Sequence, residues 1–299
     1  MDPYDFRFNI GPHSPLSLPL QRILNQNKRV LLEVDAEFPP ERMHRDVLKQ
    51  SLRLPFSRLL ENKTLQSYLD SVLEEDQTRS VIYSFDAFLG SRARSLSSNM
   101  TYPSLEKKVA PLRLLTTGSK ISLFLCLQKY TDLIDNELKG DPDLRKQLAR
   151  NVDNLLFSWI PFVKRLSEAW PEANIVILEA AELAPNWAAN VGLITGHPDA
   201  HEFEGILDFP TSSISKEGKK ALLQKTKSAQ PASIYEWRKL VRPYFTVYGQ
   251  TNFNFEQTKN SYWTTEQIEF SGEKFENEIV ELVGMNNVFL ANDLIANSQ

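Results

Sequence analysis

The stretch that decides the fold is FRFNIGPHSPLSLPLQ, residues 6–21. Apolar and polar side chains alternate over residues 6–10, and this period of two predicts a half-buried strand. Gly11 and the proline after it end the strand. Apolar residues at helical spacing resume at Leu20, so the stretch predicts a strand, a loop and a helix. Loop amides and a helix N-terminus in this arrangement are a common site for a phosphate group.

Strand-like and helical segments alternate along the rest of the chain. Runs rich in Val, Ile and Leu stand at residues 80–84, 120–127 and 174–179, with helical spacing between them. The run at 120–127 is apolar enough for a central strand buried on both faces. This alternation is typical of a mainly parallel central sheet flanked by helices, so we predict an α/β fold. Residues 29–34 fit either a second strand or a buried turn.

Helical patterns continue into the second half of the chain. A long amphipathic helix is predicted over 141–170, with a break near Pro161. A final helix is predicted to begin at Thr264 or Thr265, because Thr264 and Gln267 fit a capping box.

Residues 196–263 lose this periodicity and are rich in Pro, Ser, Lys and aromatic residues. We therefore predict one domain over 1–299, with 196–263 as a long loop or lid that holds at most short helices. Its aromatic residues fit three roles: a cover over a cleft, a surface for a protein partner, or closure of the core. They are Tyr244, Phe245, Tyr248, Phe253, Phe255, Tyr262 and Trp263.

Composition excludes several classes of function. The 299 residues carry a formal net charge of −4 with both signs interspersed, so we expect neither nucleic-acid binding nor attraction to an anionic membrane. No apolar run approaches the length of a membrane span, and the N-terminus lacks the features of a signal peptide. We therefore predict a cytoplasmic protein. Cys126 is the one cysteine, which excludes an intramolecular disulfide, and its apolar neighbours predict a buried inert thiol.

The ends of the opening stretch resemble the loop I-G-x-H-K-T-G-T-T-x-L-Q of bacterial sulfotransferase-like P-loop proteins. In that family the lysine supplies positive charge to the donor, 3′-phosphoadenosine 5′-phosphosulfate, and the glycine lets the backbone approach it. The middle of the loop differs here. Ser14 stands at the lysine position, Leu16 at the glycine, and Ser17 and Leu18 at the two threonines.

These differences predict a poor phosphate cradle. Ser14 removes the charge, and Leu16 adds a side chain where the phosphate should lie. Pro15 and Pro19 remove two amide donors. The same comparison places His13 at the family's loop histidine, where it either faces a ligand or bonds to the local backbone.

A second segment of the resemblance starts at Gln128. It lies where the family has R-N-x-x-D-F-x-x-S, whose arginine and serine hold the 3′-phosphate of the donor. Those two positions are Gln128 and Asp135 here, while Asp132 is kept. Gln lacks the charge, and Asp repels a phosphate at close range. The resemblance also places Asp86 at an acidic position, and it covers residues 6–183 in outline and 262–285 weakly.

Candidate site residues follow from this comparison. Arg92 and Arg94 are expected beside the active site that the resemblance implies. There they either replace the missing cations or form a solvated pair. The candidate catalytic residue is His13. The candidate cofactor-binding residues are Gly11, Ser14, Ser17, Arg92, Arg94, Gln128 and Lys129.

His197 and His201 form a second constellation with metal-ligand side chains at close spacing. Pro198 prevents a helical pair of histidines, and a zinc site needs a third ligand from elsewhere, so no metal is predicted. A transferase or hydrolase of unrelated chemistry at these histidines stays open as a third reading.

Two functions lead. The first is a pseudoenzyme on the sulfotransferase scaffold, with degenerate nucleotide-binding loops, that binds a ligand or a protein partner through its aromatic C-terminal region. The second is an active sulfuryl transferase with substituted anion-binding residues. The physics favours the first, since each lost charge-assisted contact costs roughly 1.5–3 kcal/mol. No cofactor is predicted, and the phosphosulfate donor is expected only if its site has been rebuilt.

Overall fold

The computed structural model describes residues 3–11, 15–40, 48–84, 88–89, 96–97, 100–137, 157–249 and 263–297. Six parallel strands form the central sheet, in the order β2-β3-β1-β6-β7-β8. The strands are β1 (Asp5–Asn9), β2 (Ala36–Glu37), β3 (Ser80–Ser84), β6 (Lys120–Leu127), β7 (Asn174–Glu179) and β8 (Val288–Leu290). A separate antiparallel pair joins β4 (Leu96–Ser97) to β5 (Met100–Thr101). The α/β fold with a mainly parallel sheet is confirmed.

Helices flank this sheet. Those of the first half are α1 (Ser17–Gln26), α2 (Lys28–Leu31), α3 (Phe56–Leu59), α4 (Asn62–Val72), α5 (Leu105–Leu115) and α6 (Tyr130–Glu137). Those of the second half are α7 (Ile160–Ala169), α8 (Trp187–Thr195), α9 (Asp208–Ser212), α10 (Lys216–Ala229), α11 (Ile234–Tyr248), α12 (Thr265–Val283) and α13 (Ala291–Asn297). Within the described residues, no helix is both long and apolar enough to cross a membrane.

The opening stretch supplies the middle of the sheet. β1 pairs with β3 on one side and β6 on the other, with Phe8 opposite Tyr83 and Leu123. Both neighbours are strands that the apolar runs predict, and the predicted bounds of β3, β6 and β7 are confirmed. Because a central parallel strand is covered on both faces, these runs carry almost no polar interruptions.

Two hydrophobic clusters lie on opposite faces of the sheet. Alternate residues of β6 divide between them, so Leu123 and Leu125 face one cluster while Phe124 and Cys126 face the other. The first cluster packs under α4, α5, α7 and α12. The second packs under α1, α8, α10 and α11. Cys126 is buried, as its apolar neighbours predict.

Two predictions in the first and middle parts of the chain meet different outcomes. Residues 29–34 form the end of α2 and a 3-10 turn, so the strand alternative there is wrong. A single residue of that run, Leu31, is buried in the core, which a helical turn achieves and an alternating strand does not. Of the helix predicted over 141–170, α7 confirms the last part and begins with Pro161 in its first turn. Residues 138–156 lie outside the described part.

The prediction of a long loop over 196–263 is wrong for most of its length. α10 and α11 are two full helices, capped by the hydroxyls of Ser215 and Ser233. Trp237 and Val241 are buried on the inner face of α11. Tyr244, Phe245 and Tyr248 pack partly against the second cluster and Trp263 is buried, so these aromatic residues help to close the core. Residues 250–262, with the other aromatic residues of the run, lie outside the described part.

The final helix follows its predicted start. Thr264 accepts a hydrogen bond from the backbone N–H of Gln267, whose side chain accepts one from the backbone of Thr264. The capping box is confirmed. Ile268, in the first turn of this helix, is 44% exposed.

Candidate functional site

The strand order creates a crevice at the carboxyl ends of β1 and β6. The chain leaves β1 toward β2 and β3 on one side of the sheet, and it leaves β6 toward β7 on the other. In an open α/β sheet, neighbouring strands whose connections diverge in this way leave a gap where ligands bind. The loop after β1 and the segment after β6 therefore border the candidate site.

A buried hydrogen-bond network closes the bottom of this crevice. Asn9, the last residue of β1, is fully buried, and its Nδ2 donates to Ser17 Oγ at 3.0 Å and Ser84 Oγ at 2.9 Å. Gln21 Nε2 donates to the carbonyl of Ser84 at 2.8 Å. The network joins β1, β3 and α1 without a charged group. Asn9 Oδ1 has no hydrogen-bond partner among the described residues.

This network decides the position of Ser17, a predicted cofactor-binding residue. Ser17 begins α1, is fully buried, and turns its hydroxyl toward Asn9. Leu16 before it is also fully buried and packs in the second cluster with Leu20. Gly11, two residues after β1, has a φ of 102°, a conformation that glycine adopts without steric cost. His13 and Ser14 lie outside the described residues.

The other wall follows β6. The carbonyl of Gln128 accepts from Trp159 Nε1 at 2.8 Å, and the Gln128 side chain is buried. Lys129 is half-buried, and its Nζ lies 3.2 Å from the point that a Cβ on Gly272 would occupy. Glycine at that position of α12 therefore leaves room for the lysine. Lys129 makes no ion pair within the described part of the chain.

Acidic groups lie just beyond Lys129 on α6. Burial raises the pKa of Asp132, and the charge of Lys129 partly opposes that rise. Asp135 also raises the pKa of Asp132. A phosphate near this helix would therefore meet negative charge as well as the lysine.

The structure thus brings four of the predicted residues to one edge. Gly11 and Ser17 follow β1, while Gln128 and Lys129 follow the adjacent strand β6. Arg92 and Arg94 lie outside the described residues.

A polar network that the sequence analysis missed continues along the same edge beside β7. Glu182 Oε2 accepts from Asn186 Nδ2 at 3.0 Å and from Arg242 at 3.2 Å. Arg238 Nε donates to Asn186 Oδ1 at 3.0 Å. Burial and the charge of Arg242 lower the pKa of Arg238.

Glu179, at the end of β7, is the acidic centre of this network. It lies opposite Leu127 in the sheet and accepts from Asn292 Nδ2 at 3.5 Å. Burial raises its pKa, and the charge of Glu182 adds to the rise. The edge of the sheet therefore changes from neutral near β1 to charged near β7.

The two histidines of the second constellation are both buried, and neither ring nitrogen of His201 has a hydrogen-bond partner among the described residues. His197 Nδ1 accepts from the backbone N–H of Asp199 at 3.1 Å. His201 lies in the 3-10 turn Ala200–Glu202. Within the described residues, no group of three or more His, Cys, Asp or Glu side chains converges as a metal site would require.

One signal in the sequence points to the missed residue Asn9. Asn is depleted in strand interiors, so its place at the end of a strand with buried Phe6 and Phe8 indicates a polar role. Ser84 ends its strand in the same way. Comparison with protein-family models and with curated proteins gives no match for this sequence.

Proposed function

We propose that this chain is a sulfotransferase-like P-loop scaffold that binds a ligand or a protein partner and lacks standard sulfotransferase activity. The observation that carries the proposal is the neutral closure of the crevice by Asn9, Ser17 and Ser84. A loop that cradles several phosphate charges needs cations and free amides at this point. Here the start of α1 instead directs its hydroxyl to an uncharged amide.

The expected loss of affinity for the phosphosulfate donor supports this proposal. The positions that correspond to the family's lysine and arginine carry Ser14 and Gln128. Two lost charge-assisted contacts at roughly 1.5–3 kcal/mol each weaken donor binding by about a hundredfold to ten-thousandfold. Asp132 and Asp135 oppose the donor further.

An active sulfuryl transferase with substituted anion contacts is the second candidate. Lys129 favours it, because this cation stands at the carboxyl end of a central strand with no ion pair in the described part of the chain. In this alternative Arg92 and Arg94 supply the remaining positive charge, and His13 is the candidate catalytic group.

Isothermal titration with 3′-phosphoadenosine 5′-phosphate, at low and physiological salt, separates the two candidates. We would compare the natural protein with Lys129→Ala and with the double variant Arg92→Ala/Arg94→Ala. Lys120→Ala is the matched control, since Lys120 begins the same strand at the opposite edge of the sheet.

The proposal expects no binding at millimolar nucleotide. Micromolar binding that is lost in Lys129→Ala or in the double variant, and kept in Lys120→Ala, would overturn it and establish the transferase alternative.

We further propose a cytoplasmic protein whose partner surface includes the outer face of α11. Val247 is 69% exposed and Tyr235 is 43% exposed on this helix, while Trp237 faces the core. The paired variant Tyr235→Ser/Val247→Ser is expected to leave the fold intact. It should weaken the binding of a protein partner that crosslinking has identified. Equal crosslinking in this variant would count against that surface.

A further inference from the structure

A large open cleft lies on the opposite side of the molecule from the crevice. It has a volume of about 940 Å³ and is bordered by Arg7 of β1 and by α8, α11 and α13. α8 starts near the carboxyl end of β7 and runs back along the sheet, so its last turn lies toward the amino ends of the strands. The contact between Arg7 and the carbonyl of Ile194 fixes this position. The cleft is therefore distinct from the site described above.

The wall of the cleft is formed largely by small and apolar side chains. Ala189, Leu193 and Ile234 contribute to it. At Gly192 an added Cβ would lie 2.9 Å from Ile234 Cδ1 and 3.1 Å from the carbonyl of His197. Glycine therefore permits the close approach of α8 and α11 that shapes this wall.

Arg7 provides the main polar group of the cleft. Its Nε and Nη2 donate to Asp5 Oδ2 at 2.9 and 2.7 Å, and its Nη1 donates to the carbonyl of Ile194 at 3.3 Å. A guanidinium has five N–H groups, so one on each terminal nitrogen stays without a partner among the described residues. Each terminal nitrogen thus keeps one N–H that can donate a charge-assisted hydrogen bond to a carboxylate.

The guanidinium is also held in place. Gly196 has a φ of 77°, and a Cβ there would lie 2.5 Å from Nη1 of Arg7. The backbone of Gly196 thus packs directly against the group and limits its movement. The side chain of Arg7 is 19% exposed, which leaves it accessible from the cleft.

His197 is a second polar residue that lines the cleft. Its Nδ1 accepts from the backbone of Asp199, so the neutral ring carries its proton on Nε2. Nε2 lies 3.7 Å from Glu33 Oε2, beyond hydrogen-bond distance, and the His197 side chain is 7% exposed. Glu33 is 69% exposed and therefore well solvated.

The charges around the cleft nearly cancel. Asp5 balances Arg7, and Lys239, whose Nζ lies 4.0 Å above the Tyr235 ring, adds one positive charge at the rim against Glu33. A ligand with several negative charges would find no surplus of cations. A ligand with one carboxylate matches the two free donors of Arg7.

We propose that this cleft binds a small organic acid, with its single carboxylate on Arg7 and its apolar body against α8 and α11. The volume lies within the range of about 300–1,000 Å³ that is usual for small-molecule sites, and an apolar wall with a few fixed polar groups is their common construction. The function of the crevice does not enter this argument.

Titration calorimetry on the full chain tests the proposal with cinnamate as the probe. Cinnamamide has the same shape without the charge, and inorganic phosphate has charge without the apolar body. Arg7→Gln removes the guanidinium, and Leu193→Trp fills the cleft while keeping Arg7. Arg58→Gln is the matched control, because Arg58 also lies beside a carboxylate, that of Glu61, but outside the cleft.

We expect saturable cinnamate binding that weakens about tenfold or more in Arg7→Gln and for cinnamamide, since a charge-assisted bond is lost. Leu193→Trp should abolish binding and Arg58→Gln should leave it unchanged. The comparison of cinnamate with cinnamamide uses the natural protein, so it tests the proposed carboxylate site even if a variant fails to fold.

Three results would overturn the proposal. The first is the absence of saturable cinnamate binding to the natural protein. The second is equal affinity for cinnamate and cinnamamide, or for cinnamate and phosphate. The third is undiminished binding in Leu193→Trp.

Discussion

The single amide of Asn9 connects three elements, the strands β1 and β3 and the helix α1. Removing it in Asn9→Ala leaves the hydroxyls of Ser17 and Ser84 without their donor in a buried place. We expect a loss of about 2 kcal/mol in the free energy of unfolding, measured by urea denaturation. Asn25→Ala is the control, because Asn25 is exposed and bonds within its own helix. Equal losses in the two variants would contradict a special role for Asn9.

Glu179 gives a prediction in the pH dependence of stability. Burial raises its pKa in the folded protein above the ordinary value of 4.5. The folded state therefore binds this proton more tightly than the unfolded chain, and stability falls as the pH rises from 4.5 through the raised pKa. Glu179→Gln removes this loss and keeps an acceptor for Asn292. We expect its melting temperature to exceed that of the natural protein at neutral pH.

Below pH 4.5 the two proteins should melt together, because the carboxyl is then protonated in both states. Glu281→Gln, on the exposed face of α12, is expected to show no such pH-dependent difference. If the melting temperatures of Glu179→Gln and the natural protein still differ at acid pH, the difference comes from the shape of the side chain and not from its charge.

For single residues, the sequence predicted which of them occur near the crevice but not what each side chain contacts. Gly11, Ser17, Gln128 and Lys129 do lie at one edge of the sheet. The bond from Asn9 to Ser17 depends on α1 folding back beside β1, which is a tertiary relation that no local pattern carries. His13, Ser14, Arg92 and Arg94 stay predictions.

Among the elements, α12 is the one that links the end of the chain to the crevice. Glu278 on this helix is buried and accepts from the backbone N–H of Trp159 at 2.9 Å. The indole of Trp159 in turn holds the carbonyl of Gln128. Lys274, one turn earlier, donates to the carbonyl of Phe157 at 2.6 Å. Two bonds thus anchor residues 157–159 to the helix.

Glu278→Ala should therefore destabilise the protein by about 2 kcal/mol, because a buried N–H loses its acceptor. Glu278→Gln keeps an oxygen at this position and is expected to cost clearly less. Chemical denaturation followed by tryptophan fluorescence measures both effects. If the two substitutions cost the same, the charge beside Lys274 matters more than the bond to Trp159.

The elements also show where sequence patterns fail. Strands with unbroken apolar runs were predicted with their bounds, because burial on both faces leaves little ambiguity. α10 and α11 were missed because α10 holds five lysines, and because α11 has Pro243 in its interior. The N-cap residues of these helices are Ser215 and Ser233. Serine is a preferred N-cap residue, so a search for helix starts would have pointed to both positions.

For the whole molecule, the central strands contribute side chains to both hydrophobic clusters. Leu166 lies in the first cluster and Leu24 in the second, and both are fully buried. Leu→Ala at either position should cost about 2–5 kcal/mol. If the chain is one domain, as predicted, each substitution lowers the temperature of the same single transition in calorimetry.

Val247→Ala provides the control for this pair, because Val247 is 69% exposed and its loss leaves no cavity. Two transitions that respond separately to Leu24→Ala and Leu166→Ala would show two independently folding units and reject the single-domain prediction.

The register of the sheet also determines how this protein is made. β1 gains its first neighbour when β3 emerges from the ribosome, and its second when β6 follows. The edge strand β8, which pairs Val288 with Ile175, is synthesised after the other five strands of the sheet. Pairings between such distant segments form slowly, and a growing chain exposes unpaired strands while it waits. A chain that stops before β8 therefore leaves β7 as an open edge.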